Sequence, residues 1–303
     1  MSGPRTRGRL DPAAVRGALR SAGLRARHAL SQNFLADAEI LEAILDEAAP
    51  EAGRGILEIG PGLGILTDGL LQAGAAVTAV ELDRGLAAHL RERFAEAVRR
   101  RDDDPAAAGG LRLIEGDALD HDLVNLVPPP YDVVANLPYH ITSPILHAFL
   151  GAPPRPERLV LMVQREVAER ITAPAGGLSY LAVFVQYHAA ARIAVRVPAA
   201  AFEPAPAVES AVVVLEPRPA GSWSSEPVDE GDLWRLIQAA FRERRKMLHN
   251  VLARQLPAPA ERVASALAAA GVDPDRRPQT VTVAEWLALL AALGPIAPDR
   301  RGR

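Results

Sequence analysis

A glycine-rich turn follows a short apolar run near residue 60. Gly60, Gly62 and Gly64 lie directly before a segment with helical periodicity. Glycine at a strand-to-helix turn lets the backbone approach a ligand where a side chain would block it. The dinucleotide fingerprint needs glycine at its first, third and sixth positions. Here the sixth position is Ile65, so the turn favours a single nucleoside such as S-adenosylmethionine.

Two acidic residues follow the next two apolar runs. Glu81 lies 21 residues after Gly60, where a carboxylate at a strand end can accept hydrogen bonds from both hydroxyls of a ribose. Asp117 follows the third run and has two interpretations. It can accept a hydrogen bond from an adenine amino group, or it can cap the turn after it. Spacing alone leaves both open.

The segment Asn136-Leu-Pro-Tyr139 follows another apolar run, which places it at the carboxyl edge of the predicted sheet. The asparagine amide can accept a hydrogen bond from an exocyclic amine, the proline stiffens the turn, and the tyrosine can stack on a planar base. These properties suit a flat substrate with an amino group that is pulled out of its stack. An ordinary turn is the alternative, and the preceding nucleoside pattern favours a substrate site.

Alternating strands and helices must position these residues. Predicted strands cover 55–59, 75–80, 111–115, 131–135 and 158–163, and predicted helices cover 40–49, 65–74, 84–100 and 144–150. Short apolar strands that alternate with helices predict a parallel sheet covered on both faces. Two later runs, 193–197 and 211–215, predict a hairpin that closes one sheet edge.

The composition changes near residue 218, and from Asp232 to Leu293 the pattern is helical with no strand. We therefore predict a flexible basic N-terminal arm over 1–23, an α/β domain over 24–218 and a small helical domain over 219–303. Residues 1–30 hold seven arginines against one acid, so they carry +6 while the rest of the chain carries −9.

A second basic run contains Arg244, Arg245 and Lys246, within the segment predicted as helical, and Arg276-Arg277 follows later. Basic segments on an acidic body can dock on a polyanion. A solvated surface is the alternative for each cluster.

Composition excludes several classes of protein. With 303 residues, 49% hydrophobic and 23% charged, the chain can fold around a sizeable core. It contains no cysteine, which excludes disulfides, thiolate metal sites and a cysteine nucleophile. The apolar stretch Trp286–Leu293 is far shorter than the ~20 residues that a membrane span needs, and the N-terminus has no export pattern. We expect a cytoplasmic protein that needs no membrane.

The sequence resembles the rRNA adenine N6-dimethyltransferases over roughly residues 24–290. The resemblance extends to both predicted domains and includes a motif just before the first predicted α/β helix. It rests on these segments: Ser31-Gln-Asn-Phe-Leu35, Leu57-Glu-Ile-Gly-Pro-Gly-Leu-Gly-Ile-Leu-Thr67, Val80-Glu-Leu-Asp83, Gly116-Asp-Ala118, Asn136-Leu-Pro-Tyr139, Met162-Val-Gln-Arg-Glu-Val-Ala-Glu-Arg170, Phe202-Glu-Pro-Ala-Pro-Ala-Val-Glu-Ser210, Phe241-Arg-Glu-Arg-Arg-Lys-Met-Leu-His-Asn250 and Arg277-Pro-Gln-Thr280.

The resemblance implies a Rossmann-like α/β methyltransferase domain, dependent on S-adenosylmethionine, with a C-terminal all-helical RNA-binding domain. It implies transfer of methyl groups to N6 of two adjacent adenosines in the 3′-terminal hairpin of 16S rRNA, within the small ribosomal subunit. It further implies a monomer. Because the sulfonium methyl of the donor is already a strong electrophile, the reaction needs positioning rather than a metal, and we predict none.

The resemblance also implies roles for individual residues. The donor would be held by Asn33, Leu35, Gly60, Glu81, Asp117 and Asn136. The target adenine would be held by Asn136, by the carbonyl of Leu137 or Pro138, and by the rings of Tyr139 and Phe202. For Phe202, packing at a sheet edge is the rival interpretation. Arg244, Arg245 and Lys246 would bind RNA.

Several alternatives remain open at this point. A sibling enzyme that methylates adenine in 23S rRNA and confers antibiotic resistance shares most motifs, although Leu137 and the segments 244–246 and 277–280 favour the small-subunit enzyme. A non-catalytic ribosome-assembly factor on the same fold would show damaged donor residues, and none is evident. The loop over 173–177 lacks the basic residue often seen in the family.

Overall fold

The chain folds into two compact units in the computed structural model, which describes residues 10–27, 32–219, 221–223 and 228–296. The first unit comprises Met1–Ala168 and Ala191–Pro217, and the second comprises Glu169–Ala190 and Arg218–Arg303. The chain changes unit at the position where the sequence predicted a boundary. The excursion over 169–190 was not predicted. It joins the helical unit because Leu178, Ala182 and Val183 are buried in that unit's core.

The first unit is built on a seven-stranded sheet in the order β4-β3-β2-β5-β6-β9-β7. The strands are β2 (Gly55–Ile59), β3 (Ala76–Glu81), β4 (Leu111–Glu115), β5 (Tyr131–Asn136), β6 (Arg158–Gln164), β7 (Ala189–Val197) and β9 (Ser210–Pro217). The pairs from β4 to β6 are parallel, and β9 runs antiparallel to β6. The predicted α/β sheet, closed at one edge by two late strands, is confirmed.

Helices connect the strands of the first unit. They are α2 (Ala38–Ala48), α3 (Ile65–Gln72), α4 (Arg84–Arg93), α5 (Ala95–Asp103), α6 (Thr142–Gly151) and α7 (Arg165–Ile171), the last of which ends in the second unit. The single helix predicted over 84–100 is two helices, because Phe94 leaves helical geometry with φ −110° and ψ 29°. Asp83 caps α4 by accepting hydrogen bonds from the backbone N–H groups of Gly85 and Leu86.

The predicted N-terminal arm contains a docked helix. Helix α1 (Pro12–Ser21) begins after Asp11, whose side chain accepts the Ala14 N–H. Its Val15 and Leu19 are buried in a small apolar cluster with Phe34, Leu63 and Leu86 of the first unit. The prediction of a flexible arm is wrong for this stretch, since Val15 and Leu19, four positions apart among the arginines, give the helix a buried face. Residues 1–9 of the predicted arm lie outside the described residues.

A two-stranded sheet links two distant segments of the first unit. Strand β1 (Phe34–Leu35) pairs antiparallel with β8 (Phe202–Glu203), with Leu35 opposite Phe202. The Ala36 N–H also donates to the Ala201 carbonyl at 2.7 Å. This pairing fixes the segment before α2 against the proline-rich bend after β7.

The second unit is helical. Its helices are α8 (Tyr180–His188), α9 (Glu230–Phe241), α10 (Leu248–Gln255), α11 (Ala260–Ala269) and α12 (Val283–Leu293). They surround a core in which Trp286 is fully buried. Thr282 and Glu285 form a capping box at the start of α12. The described residues between 218 and 296 contain no strand, as predicted.

Candidate active site at the carboxyl edge of the sheet

A cavity opens at the carboxyl ends of β2, β3, β4 and β5. It measures about 1200 Å³, including the space at its mouth that is open to solvent. The structure brings every residue predicted for the donor and the target adenine to this one cavity. The predicted residues that line it are Asn33, Leu35, Gly60, Glu81, Asp117, Asn136, Leu137, Pro138, Tyr139 and Phe202.

The glycine turn forms one wall of the cavity and requires glycine for two physical reasons. Gly60, Gly62 and Gly64 have φ values of +68°, +60° and +75°, a region that side chains strongly disfavour. A Cβ on Gly62 would lie 3.1 Å from the Phe34 ring, and a Cβ on Gly64 would lie 2.5 Å from the Phe94 ring. Backbone conformation and close packing therefore hold the turn in one shape against the cavity.

Glu81 is the carboxylate that the sequence assigned to a ribose. It is buried, and its two oxygens accept the backbone N–H groups of Gly62 at 3.0 Å and Asp83 at 2.8 Å. Burial raises the pKa of Glu81, while these backbone hydrogen bonds oppose the rise. Each carboxylate oxygen keeps a second lone pair, so the group can still accept hydrogen bonds from a vicinal diol.

Asp117 caps the turn after it, which was one of its two predicted roles. Its Oδ1 accepts the Leu119 N–H at 2.9 Å and caps a short 3-10 turn. The same side chain lines the cavity. Capping occupies one oxygen, so it does not exclude a hydrogen bond from a ligand amino group to the other.

Asn136 is the last residue of β5 and lies opposite Met162 of β6. Its side-chain Nδ2 donates to the Asn33 carbonyl at 3.3 Å. With the nitrogen held in this way, the amide oxygen is the atom that can accept a hydrogen bond from a substrate amine. The amide is thus oriented by the chain itself.

Backbone hydrogen bonds hold the turn after Asn136. The Pro138 carbonyl accepts the Ile141 N–H at 3.2 Å, and the Leu137 N–H donates to the Met162 carbonyl at 3.1 Å. The sequence left open which carbonyl would face a substrate amine. A carbonyl oxygen that accepts one hydrogen bond keeps a second lone pair, so the Pro138 carbonyl can still accept a hydrogen bond from an amine, and both carbonyls remain candidates.

Two aromatic rings line the cavity near this turn. Tyr139 is half-buried, and its hydroxyl lies 3.0 Å from the Ser210 Oγ. Phe202 is only 3% exposed and is held in the β1–β8 pair. Phe202 therefore packs in a strand pair, as the structural interpretation predicted, and it also lines the cavity, where a stacking ring would have to lie.

Sequence reasoning missed Glu58. This residue lies in β2, is 1% exposed, lines the cavity and accepts a hydrogen bond from the Thr67 hydroxyl at 2.7 Å. Burial raises its pKa to about 8, and the negative charge of Glu81 adds to the rise. An acid inside an otherwise apolar strand, directly before a glycine turn, was the available signal.

Gln32 was also missed, although it belongs to the motif that contains Asn33. Its Nε2 donates to Asp83 Oδ2 at 3.3 Å, and its Oε1 accepts the Arg27 N–H at 2.8 Å. Gln32 thereby ties the chain before Asn33 to the capping residue of α4. Ser31, the first residue of that motif, lies outside the described residues.

The three residues predicted to bind RNA lie in the second unit. Arg244, Arg245 and Lys246 are exposed and occupy the turn between α9 and α10. We call them the basic turn. The sequence predicted a helix at these residues. That prediction is wrong, because α9 ends at Phe241 and the Lys246 N–H donates to the Glu243 carbonyl at 2.8 Å, which forms a turn.

Backbone hydrogen bonds bring a second basic segment to this turn. The Leu248 N–H donates to the Arg276 carbonyl at 2.8 Å. The Arg276 side chain is paired with Glu285 at 2.5 Å, whereas Arg277 is exposed. Arg277 is therefore the member of that pair whose charge can join the surface of the basic turn.

Among the described residues, no group of three or more histidine, aspartate and glutamate side chains is arranged to hold a metal ion. No helix within the same ranges is long and apolar enough to cross a bilayer.

Comparison with known families now adds to this geometry. The family model described as ribosomal RNA adenine dimethylase matches residues 23–293, which includes the cavity and the basic turn. The chain belongs to this family. A relative from Anaeromyxobacter sp. (strain K), named "Ribosomal RNA small subunit methyltransferase A", is 41% identical over 281 residues, covering 89% of this chain and 94% of the relative. The protein of that name from Myxococcus xanthus (strain DK1622) is 39% identical over 284 residues and covers 92% and 95%.

Solved structures give the same family fold. A dimethyladenosine transferase from Plasmodium falciparum has a TM-score of 0.69 at 25% identity, covering 85% of this chain and 96% of that one. The 23S rRNA methyltransferase ErmE has a TM-score of 0.63 at 30% identity, covering 86% and 99%. These similarities confirm the predicted α/β methyltransferase fold of this chain.

Proposed function

We propose that this adenine dimethylase transfers methyl groups from S-adenosylmethionine to N6 of two adjacent adenosines in the 3′-terminal hairpin of 16S rRNA. The product is N6,N6-dimethyladenosine in the small ribosomal subunit. One observation carries the proposal: the nucleoside-binding residues and the Asn136-Leu-Pro-Tyr139 turn line the same cavity. A donor and a flat amine can meet there.

The cavity fits the donor through the chemistry of its lining. Gly60 has a positive φ and no Cβ, so its backbone can approach the donor; an added Cβ would lie 3.8 Å from Pro138 Cδ. Glu81 accepts hydrogen bonds from the ribose hydroxyls, and Asp117 accepts one from the adenine amine. Asn33 and Leu35 contact the methionine end or the ribose. When bound, S-adenosylmethionine supplies a methyl group already activated by its sulfonium.

The turn after β5 holds the acceptor. Asn136 Oδ1 and the carbonyl of Leu137 or Pro138 accept the two N–H groups of the adenine amine, which favours a pyramidal nitrogen with its lone pair exposed. The nitrogen forms a bond to the methyl carbon as the carbon–sulfur bond breaks, and a proton is released to water. Positioning supplies most of the rate enhancement, because the methyl group needs no further activation.

Two aromatic rings hold the base. Tyr139 stacks on one face of the extruded adenine, and Phe202 supports the other. After one transfer, one N–H remains on the amine, so the same two acceptors can orient it for a second transfer. All these groups belong to one chain, which supports action as a monomer.

The basic turn supplies RNA affinity in this proposal. Arg244, Arg245 and Lys246 are exposed and can contact phosphates of the folded rRNA, and Arg277 extends the same surface. The similarity to small-subunit enzymes at 41% identity supports 16S rRNA as the substrate. Action on ribosomal subunits also places the protein in the cytoplasm.

A specific observation favours one second candidate, which is methylation of 23S rRNA. The likeness to ErmE covers 86% of the chain, but its 30% identity is lower than that of the small-subunit relatives. The test incubates the protein with labelled S-adenosylmethionine and either small or large ribosomal subunits that lack the modification, and measures the label in the rRNA. Label in the small subunit supports the proposal. Label confined to the large subunit replaces it, and donor binding without label supports a non-catalytic assembly factor.

A further inference from the structure

A hydrogen bond connects the cavity to a strand that does not line it. The Tyr139 hydroxyl lies 3.0 Å from the Ser210 Oγ. Tyr139 is half-buried and lines the cavity, whereas Ser210 is 1% exposed and belongs to β9, at the far side of β6. The phenol end of the ring is therefore held by a buried, immobile group.

Strand β6 sets the distance between this anchor and the proposed methyl acceptor site. Met162 lies opposite Asn136 in β5, and Gln164, two residues later, lies opposite Ser210 in β9. The Arg165 N–H then donates to the Glu209 carbonyl at 2.9 Å, which extends the β6–β9 pairing to the start of β9. The sheet register thus positions Asn136 and Ser210 together.

We propose that Ser210 is a positioning residue that fixes the Tyr139 ring as the stacking face for the target base. The proposal rests on the proposed function, because it assigns the ring a base to stack on. A hydrogen bond to the Asn33 carbonyl orients Asn136, and a hydrogen bond to Ser210 orients Tyr139. Each of these two residues, proposed to hold the target adenine, thus has its own hydrogen-bond partner.

The physical argument concerns preorganisation. A half-buried tyrosine keeps freedom about two side-chain torsions unless its hydroxyl is held. A base stacks well only on a ring whose face already points into the cavity, and small misplacements lower the rate of transfer. Loss of the Tyr139–Ser210 hydrogen bond should reduce the stabilisation of the transition state by about the net free energy of one hydrogen bond. This corresponds to a loss of about two- to ten-fold in kcat/KM for the small ribosomal subunit.

A double-mutant cycle tests the proposal on the full-length protein. The variants are Ser210→Ala, Tyr139→Phe and the double variant, with small ribosomal subunits as substrate. Both single variants should lower kcat/KM by a similar factor, and the double variant should lose no more than either one. The dissociation constant for S-adenosylmethionine should stay at the wild-type value in all three.

Tyr131→Phe is the matched control, because it also removes a tyrosine hydrogen bond from the first unit. The Tyr131 hydroxyl donates to the Pro154 carbonyl at 3.2 Å and does not line the cavity. This variant should keep the wild-type kcat/KM. A loss equal to that of Tyr139→Phe would assign the effect to general stability and overturn the proposal.

A second readout needs no RNA. The chain has only four tyrosines, so selectively labelled tyrosine rings can be followed by NMR, with Tyr139→Phe identifying the Tyr139 signals. Ser210→Ala should shift and broaden those signals. Tyr139 NMR signals that do not change in Ser210→Ala, or losses of kcat/KM that add up in the double variant, would overturn the role of Ser210. A wild-type protein that methylates no small subunit would instead overturn the proposed function, which separates the two failures.

Discussion

The cavity of the first unit and the basic turn of the second unit are built in opposite ways. Around the cavity, Glu81, Asn136 and Tyr139 each have a hydrogen-bond partner supplied by the chain. In the basic turn, Arg244, Arg245 and Lys246 are exposed and lie between two helices. Chemistry at the cavity therefore depends on fixed geometry, while affinity at the turn depends on charge.

This difference predicts two kinds of sensitivity. A change in the cavity should alter transfer or donor binding with little dependence on ionic strength, because its groups act through hydrogen bonds and stacking rather than through exposed charges. A change in the basic turn should alter RNA affinity and its salt dependence, because exposed charges act through counterion release. The following variants test whether the two regions separate in this way, starting with the largest expected effect.

Asn136→Ala should lower the rate of methyl transfer at saturating substrates by at least about 100-fold, because it removes an acceptor that orients the reacting amine. Donor affinity should change far less. The rate is measured in a single turnover, and donor affinity by calorimetry. Asn125→Ala, at an exposed residue of the same unit, is the control and should behave as wild type. Normal turnover by Asn136→Ala would remove this residue from the mechanism.

Glu81→Gln should weaken S-adenosylmethionine binding by about 10- to 100-fold, the range expected when a hydrogen bond to a charged group is lost. Equilibrium binding measures the effect. The control is Glu115→Gln, since Glu115 lies opposite Glu81 in β4 but is exposed. Equal losses in the two variants would show that the carboxylate at the end of β3 has no special contact with the donor.

Replacing Arg244, Arg245 and Lys246 by glutamine should weaken binding to the small subunit by about ten-fold at moderate salt. The slope of log K against log salt should fall by about two to three, close to one unit for each lost phosphate contact. Donor binding should stay unchanged. The control replaces Arg99 and Arg100, which are exposed in the first unit, by glutamine. An unchanged slope in the triple variant would show that the basic turn does not face RNA.

Glu58→Gln should alter the pH dependence of stability. The pKa of Glu58 is raised to about 8 from 4.5, so the folded state holds this proton more tightly than the unfolded state does. Wild-type stability should therefore fall, relative to the variant, as the pH rises from about 5 to 8, by up to a few kcal/mol.

Thermal unfolding across that pH range measures the effect of Glu58→Gln. The control Glu51→Gln, at an exposed residue, should follow the wild-type curve. Parallel curves for wild type and Glu58→Gln would contradict the account of a protonated buried carboxyl in the cavity wall.

The sequence predicted the sheet, and the place of the candidate donor residues along its edge, because both follow from local signals; contact of these residues with the donor stays a prediction. Short apolar runs mark β2, β3 and β5, and each polar residue at a run's end must lie at the same sheet edge. Resemblance to the family added Asn33, Leu35 and Phe202. Leu35 and Phe202 lie on a separate strand pair that no periodicity indicates, and Asn33 directly precedes β1. Two residues per strand are too few to give a pattern.

Long-range packing explains what was mispredicted. Val15 and Leu19 dock α1 only because Phe34 and Leu63 offer an apolar surface, which the arginine-rich N-terminal sequence does not reveal. Residues 169–190 belong to the helical unit because apolar side chains of this segment are buried in its core. Their residue types alone do not tell which of the two cores buries them. The Tyr139–Ser210 bond joins residues 71 positions apart, so it depends on the strand order rather than on any local motif.

The central claim is that the sheet-edge cavity methylates adenine N6 in small-subunit rRNA. The most direct test incubates wild type and Asn136→Ala with S-adenosylmethionine and unmethylated small subunits, then identifies the modified nucleosides by nuclease digestion and mass spectrometry. The account predicts N6,N6-dimethyladenosine at two adjacent positions near the 3′ end with wild type, and none with Asn136→Ala. Methylation of another nucleoside, or equal product from both proteins, would contradict it.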